Sequence, residues 1–222
     1  MSEQLGENPK WRWDELVAYT KRTFDLEFDV DFTNLFYELI VVPAYTNGRH
    51  YHTLRHVEYL LKYVEDFKGV SHPDRNLIKW SIWFHDIIYD ATRNDNEERS
   101  ANVLADFMRA IGMPSEHIDT MRWLILVTSH KGSPQTYIED IICDLDLREF
   151  VSDRQVKNSE EVRLEFAHVS DEEFDKGRIE FIDWMLSKES IYHTDLYRES
   201  LETLARQNLL REKESIIQKE NG

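Results

Sequence analysis

The sequence is poor in the residues that make tight turns and in those that cross-link chains. Its 222 residues include 7 glycines, 5 prolines and a single cysteine, Cys143. A sheet protein of this length needs many turns, so the scarcity of Gly and Pro favours long helices. One cysteine excludes an internal disulfide and is typical of a reducing compartment. No apolar run approaches the roughly 18 residues of a membrane span, so we expect no membrane partner.

Positive charge is also scarce. Lys and Arg number 27 against 43 Asp and Glu, which gives a formal net charge of −16. A surface of this sign repels phosphate backbones and argues against a nucleic-acid polymer as partner. A small anion can still bind where a metal ion or a local arginine cluster reverses the sign. The first ten residues lack the apolar run of a signal peptide, so we predict a cytoplasmic protein.

Apolar side chains, by contrast, are plentiful and follow a helical pattern. They make up 41% of the chain, enough to fill a sizeable core. They recur at helical spacing along most of the chain, and no segment alternates as a strand does. We therefore predict an all-α protein, a single-domain helical bundle of about eight to ten helices. The domain spans residues 11–218 and follows a flexible N-terminal tail, residues 1–10.

The first segment whose residues could bind a metal ion or take part in catalysis is residues 83–88. It places a histidine beside an aspartate among apolar residues. In a helix that runs to about residue 90, His85 shares a face with Ile78 and Ile82 and points inward. A buried carboxylate at Asp86 costs several kcal/mol unless a cation or several donors pair with it. Two interpretations stay open: a core histidine with an exposed Asp86, or a metal site.

Two further segments offer the same kinds of ligand. His52 and His56 are four residues apart at a predicted helix start, which puts them on one side of one turn. Asp144 and Asp146 interrupt a strongly apolar segment and diverge on a helix, so one acid faces the core while the other is solvated. Each signal alone also fits an ordinary surface or a polar helix face. Together they offer imidazoles and carboxylates to one divalent ion, which suits Mn, Fe, Co, Ni or Zn and less often Mg.

The ordered set of motifs resembles the HD-domain superfamily of metal-dependent phosphohydrolases, and within it the small bacterial-type predicted phosphohydrolases. A His-Asp pair alone is unspecific, whereas the full order is specific. The resemblance covers about residues 11–215. Its motifs are residues 49–56, 83–90, 96–101, 128–130, 144–147, 162–166 and 205–209.

The resemblance implies a helical bundle with four metal ligands. His56, His85 and Asp86 match the first three ligands of the superfamily. The fourth best matches Asp146, with Asp144 second. The ion, which is Mn, Co, Ni, Fe, Zn or Mg, would leave positions open for water.

The resemblance also implies a catalytic set of His52, Asp86 and Glu97. Residues 51–56 are similar to the pattern of mammalian cyclic nucleotide phosphodiesterases, in which the first histidine protonates the leaving oxygen. His52 is thereby the candidate general acid, and imidazolium suits that task near neutral pH. Glu97 belongs to an Asn-Glu-x-x-Ser-Ala motif that orients ligands or water; as an acid at a helix start it equally suits the helix dipole.

Basic residues in the same motifs are candidates for binding substrate. These are Arg49, His130, Lys131 and Arg163. A guanidinium suits phosphate, although in so acidic a chain each arginine alone also fits a structural salt bridge. His130 could instead bind a second metal ion, or simply end its helix.

The function implied is metal-dependent hydrolysis of a phosphate ester of a nucleotide or other small phosphorylated metabolite, with hydroxide generated at the metal as nucleophile. The alternatives are a di-iron oxygenase of the HD type, a non-catalytic module that binds metal or nucleotide, and a structural metal. Two departures limit the substrate. Tyr89-Asp90 stands where alarmone hydrolases have Glu-Asp, and Thr53 stands where the cyclic nucleotide enzymes have Asn. The oligomeric state stays open, with a homodimer as one option.

Overall fold

Every regular element is a helix in the computed structural model, which describes residues 9–220. The predicted all-α class is therefore confirmed for this part of the chain. The predicted tail lies largely outside the described residues, and the first helix begins at Lys10. The helices are α1 (Lys10–Thr23), α2 (Val30–Phe36), α3 (Val42–Thr46), α4 (Leu54–Tyr63), α5 (His72–Phe84), α6 (Asn96–Ala110), α7 (Ser115–Val127), α8 (Tyr137–Asp146), α9 (Gln155–Glu165), α10 (Asp171–Ser187), α11 (Asp195–Ser200) and α12 (Glu202–Glu220).

Tighter and wider helical turns connect several of these elements. A π-helical turn, Tyr37–Val41, joins α2 to α3 without a break. A 3-10 turn, Val64–Asp66, follows α4, and another, Leu147–Val151, follows α8. No helix in the described part of the chain is long and apolar enough to cross a membrane.

Helix α5 is the centre of the bundle. It contacts α1, α4, α6, α7 and α8. Because neighbours cover it on several sides, its last five residues, 80–84, are all buried, and Trp80, Trp83 and Phe84 are fully so. Trp13 of α1 packs edge-on against both tryptophans, with ring centroids 4.9 Å from Trp80 and 5.5 Å from Trp83. The carboxyl end of α5 is thus held in the middle of the molecule.

Helix α5 ends at Phe84, about six residues before the end predicted from the apolar pattern. The backbone that follows the helix finds other partners, since the Arg49 guanidinium donates to the carbonyl oxygens of Asp86 and Ile87. Ser100 Oγ binds both the amide and the carbonyl of Ile88. These partners replace those that a further helical turn would supply to the backbone.

Other helix ends meet at the same place. α4 starts at Leu54 and α8 ends at Asp146. The chain after α7 passes through His130, whose φ of 54° lies in the left-handed region. The site described next lies where these ends meet.

Candidate metal centre

Two buried histidines face each other at the centre of the bundle. His56 in the first turn of α4 and His85 at the end of α5 are 1% and 2% exposed. Their Nε2 atoms lie 3.3 Å apart. The two rings therefore point their outer nitrogens at one shared space.

The inner nitrogen of each ring already has a partner. His85 Nδ1 lies 2.8 Å from the carbonyl oxygen of Ile82, an acceptor, so this nitrogen carries the proton. His56 Nδ1 lies 3.3 Å from Glu149 Oε1. A carboxylate oxygen is also an acceptor, so this nitrogen carries a proton as well. Each neutral ring then directs an Nε2 lone pair into the shared space, as metal-binding histidines do.

Two aspartates complete the cluster. Asp146 Oδ1 lies 3.5 Å from His56 Nε2 and 3.7 Å from His85 Nε2. Asp86 Oδ2 lies 2.9 Å from His85 Nε2 and 3.8 Å from His56 Nε2. Ligands held about 2.1 Å from one ion are roughly 3.0–3.5 Å from each other, so these separations suit a first-row divalent ion. The structure thus brings together ligand atoms of His56, His85 and Asp146, all within 4.8 Å of one another, while Asp86 lies beside both histidines but outside this group of three.

The pKa values of the cluster record the concentrated negative charge. Burial lowers the pKa of His56, but hydrogen bonds with Asp146 and Glu149 outweigh it and raise the pKa to about 9. The pKa of His85 is likewise raised well above its ordinary value, since the carboxylates of Asp86 and Asp146 outweigh burial. Burial raises the pKa of Asp86, yet the charge of His85 reverses this and holds that pKa below its usual range. Protons and a metal ion would compete for this cluster.

The two candidates for the fourth ligand point to different places. Asp144 is fully buried and accepts hydrogen bonds from His193 N at 2.6 Å and from Thr194 N and Oγ1 at 2.9 and 2.6 Å. Burial raises the pKa of Asp144 to about 6. Its carboxyl thus holds the loop before α11, and Asp146 alone of the two reaches the histidines.

Glu149 was not singled out in the sequence, yet it supports the cluster directly. Its side chain is 4% exposed. Its Oε2, the oxygen that does not face His56, accepts a hydrogen bond from Asn158 Nδ2. Arg55 Nη1 lies 3.8 Å from that same oxygen. The only hint in the sequence is its position three residues after Asp146, in the turn that continues α8.

His130 contacts the other side of Asp146. Its Nε2 lies 3.0 Å from Asp146 Oδ2, whereas Oδ1 faces His56 and His85. Its neighbour Lys131 is exposed and donates to the carbonyl oxygen of Asn94. His130 therefore joins the cluster, while Lys131 extends away along the surface.

His52 lies beside the cluster and is held by an acid. Its Nδ1 lies 2.6 Å from Glu165 Oε2, and its ring stacks on Tyr89 with centroids 3.9 Å apart. Glu165 Oε1 accepts the backbone amides of residues 50, 51 and 52 at 2.8, 2.8 and 3.0 Å. Burial raises the pKa of Glu165. The hydrogen bond from His52, together with those from the backbone amides, outweighs burial and lowers the pKa to about 2.

Glu165 is therefore the residue of its segment that reaches the site. Arg163, the candidate chosen from the same segment, turns toward the chain after α9, where it binds Asp171 and the carbonyl oxygens of Phe166 and Val169. The sequence gives no sign of this role, because a glutamate at the end of a helix such as α9 is ordinarily an exposed residue.

Two more candidates lie near the site without reaching its centre. The Arg49 guanidinium donates to backbone carbonyls, including that of His52, and lies over the Tyr45 and Tyr89 rings. It thereby supports the loop that carries His52. Glu97 is in the first turn of α6, and within residues 9–220 no hydrogen bond or ion pair joins it to the cluster.

A cleft of about 550 Å³ opens beside these groups. His52, His130 and Asp146 line one end of it, and α9 and α10 form the far wall. The volume falls in the range of about 300–1,000 Å³ that is usual for small-molecule sites. A ligand in the cleft would therefore lie against Asp146, the cluster residue that lines it, and against His52. In comparisons with protein-family models, with curated proteins and with solved structures, the chain matches none of them.

Proposed function

We propose that this protein is a metal-dependent phosphohydrolase of the HD-domain superfamily, acting on a phosphate ester of a nucleotide or other small phosphorylated metabolite. The observation that carries the proposal is the pair of buried Nε2 atoms, on His56 and His85, that face each other at 3.3 Å with both Nδ1 atoms already bonded. With both Nδ1 atoms protonated, two neutral rings would turn Nε2 lone pairs toward each other there, which is unfavourable. A divalent cation held by both rings, Asp86 and Asp146 would remove that conflict.

The charge of the cluster supports the same conclusion. Asp86 and Asp146 each have a carboxylate oxygen within 4 Å of both histidines, in a chain whose formal net charge is −16. A phosphate group would be repelled from two carboxylates unless a cation neutralised them. Mn, Co, Ni, Fe, Zn or Mg, when bound, would polarise a phosphoryl oxygen and lower the pKa of a coordinated water.

His52 would protonate the departing oxygen. With Nδ1 bonded to Glu165, its Nε2 is the nitrogen left to hold and release a proton. The Glu165 carboxylate orients the imidazole through Nδ1, and the stacked Tyr89 ring fixes the ring plane. Three backbone amides hold Glu165 in turn, so the orientation of His52 is set by the chain itself.

The test is elemental analysis of the purified protein followed by a phosphate-release screen with each divalent ion. We expect about one ion per chain and release of phosphate from at least one ester, with loss of both in Asp146→Asn. The matched variant Asp144→Asn removes an acid two residues away that does not face the histidines, and it should keep the ion. Absence of bound metal under all ions tested would reject the proposal, and metal without any phosphate release would favour a binding module.

The contact of His130 with Asp146 favours a second candidate, a di-iron oxygenase. Asp146 offers one oxygen to the histidine pair and the other to His130, as a carboxylate shared by two ions would. Two irons per chain and consumption of oxygen would select this alternative over hydrolysis.

For the cellular location we propose the cytoplasm. The single cysteine, Cys143, is buried and free, and it forms no disulfide. A reducing compartment suits such a chain.

A further inference from the structure

The cleft beside the metal cluster has a largely apolar wall. The side chains that form it come from the turn after α8, from α9 and α10, and from the segment that joins them. They are Leu147, Phe150, Val162, Phe166, Phe174 and Phe181. Phe166 and Phe174 pack together, with ring centroids 5.6 Å apart. Apolar surface of this extent next to a polar centre can take up the apolar part of a ligand.

The same wall offers no unpaired arginine or lysine. Arg178 is the one arginine among the described lining residues, none of which is a lysine. Its Nε and Nη2 atoms donate to the two carboxylate oxygens of Glu212 at 2.7 and 3.2 Å, and that pair is largely buried. A second or third phosphate would therefore meet no unpaired arginine or lysine along this wall, and Glu149 and Glu173 would face it as like charges.

The polar groups at the base of the wall are also engaged. Gln155 Nε2 and Ser159 Oγ both donate to Glu212. Asn158 Nδ2 donates to Glu149. A ligand rich in hydroxyl groups would lose its hydrogen bonds to water without regaining them from these donors, at a cost of about 1–3 kcal/mol for each group left unpaired.

We infer that the substrate is a phosphate monoester whose organic group is apolar or aromatic, with the phosphate at the metal cluster and the organic group against the phenylalanine wall. The inference rests on the proposed function and narrows it. It disfavours polyphosphates and polyhydroxylated esters such as sugar phosphates.

Binding is tested with two phosphonates that cannot be hydrolysed. The full-length protein, loaded with the ion that gives the most phosphate release or with Mn²⁺ if none does, is titrated with 2-phenylethylphosphonate and 2-hydroxyethylphosphonate. Both carry the same phosphonate, so the ratio of their dissociation constants reports the wall alone. We expect the phenyl compound to bind at least about tenfold more tightly.

Turnover is tested with the matching esters, 2-phenylethyl phosphate and 2-hydroxyethyl phosphate. Each releases a primary alcohol, so leaving-group chemistry is comparable and kcat/KM should again favour the phenyl ester by about tenfold. Inorganic tripolyphosphate should be turned over more slowly than the phenyl ester. Hydrolysis with equal or reversed preference, or faster cleavage of tripolyphosphate, overturns the inference while leaving the hydrolase proposal intact.

The remaining outcomes separate the two proposals. Tight, selective binding of the phenyl phosphonate without hydrolysis of any ester supports the apolar pocket and rejects the hydrolase. Neither selectivity nor hydrolysis rejects both.

A pair of variants locates the preference on the wall. Phe174→Gln, which replaces an apolar ring of the wall, should reduce the phenyl-to-hydroxyl ratio about tenfold. Leu164→Gln replaces an exposed apolar side chain of α9 that does not line this cleft, and its ratio should equal that of the unchanged protein. An unchanged ratio in a folded Phe174→Gln protein would contradict the assignment of the apolar preference to this wall. If the variant does not fold, the phenyl and hydroxyl compounds still test the inference in the unchanged protein.

Discussion

His56 Nε2 and His85 Nε2 lie 3.3 Å apart in the interior, each on a ring whose Nδ1 is already hydrogen-bonded. Histidines that meet in a core are ordinarily accommodated when one donates a proton to the other. Here both Nδ1 partners are acceptors, so both rings favour the tautomer that leaves Nε2 as a lone pair. Once the Nε2 protons leave, both rings direct a lone pair at the same space, and this arrangement leads to the predictions that follow.

The first prediction distinguishes the two aspartates at the end of α8. Asp146→Asn should lower the metal content to near zero, because its Oδ1 faces both histidines. Asp144→Asn should keep the metal but destabilise the fold by about 1–3 kcal/mol, since it perturbs buried hydrogen bonds to residues 193 and 194. Elemental analysis and urea unfolding measure the two effects. Equal metal loss in both variants would contradict the assignment.

The second prediction concerns the carboxylate behind His56. Glu149→Gln should weaken metal binding by about 10–100-fold, because the amide no longer fixes the ring's tautomer or raises its basicity. Competition with a metal-sensitive chelating dye gives the affinity. Glu160→Gln, an exposed acid on α9, is the control and should bind as the unchanged protein does. An unaltered affinity in Glu149→Gln would remove its supporting role.

The third prediction separates catalysis from metal binding. His52→Ala should retain the metal, yet its kcat should fall by about 10²–10⁴-fold because the proton donor to the leaving oxygen is gone. His50→Ala removes a nearby exposed imidazole and should leave kcat unchanged. Full turnover by a metal-loaded His52→Ala protein would exclude the general-acid role.

The fourth prediction is a pH dependence of stability that comes from Glu165. Its folded pKa, about 2, lies below the ordinary value of 4.5. The unfolded chain therefore binds more protons between these values, so Glu165 stabilises the fold above pH 4.5 and this contribution disappears as the pH falls toward 2. Solvent screening reduces the effect to about 2 kcal/mol at neutral pH.

Replacement by glutamine provides the measurement. Glu165→Gln should be less stable than the unchanged protein at pH 6, and the difference should shrink at pH 3, as followed by urea unfolding. Glu180→Gln, an exposed acid on α10, should show neither effect. A destabilisation of Glu165→Gln that is the same at both pH values would mean that the charge of Glu165 is not responsible.

Much of the architecture could be predicted from the sequence. Apolar periodicity and the lack of turn residues determined the helical class, since a helix with one buried face repeats its apolar side chains about every 3.6 residues. The same reasoning identified His56, His85 and Asp86, because polar ligand types stand out in apolar segments. Their assignment as metal ligands remains a prediction.

The tertiary structure decided what depends on the ends of helices and on residues distant in the chain. α5 ends at Phe84 because Arg49 and Ser100 supply partners for the following backbone, and periodicity contains no information about such distant partners. Asp146 rather than Asp144 reaches the histidines because loop residues 193–194 occupy the other acid. Glu165 reaches His52 across 113 residues of sequence. A helical pattern tells which side chains are buried, but only the packing of the chain decides which buried groups meet.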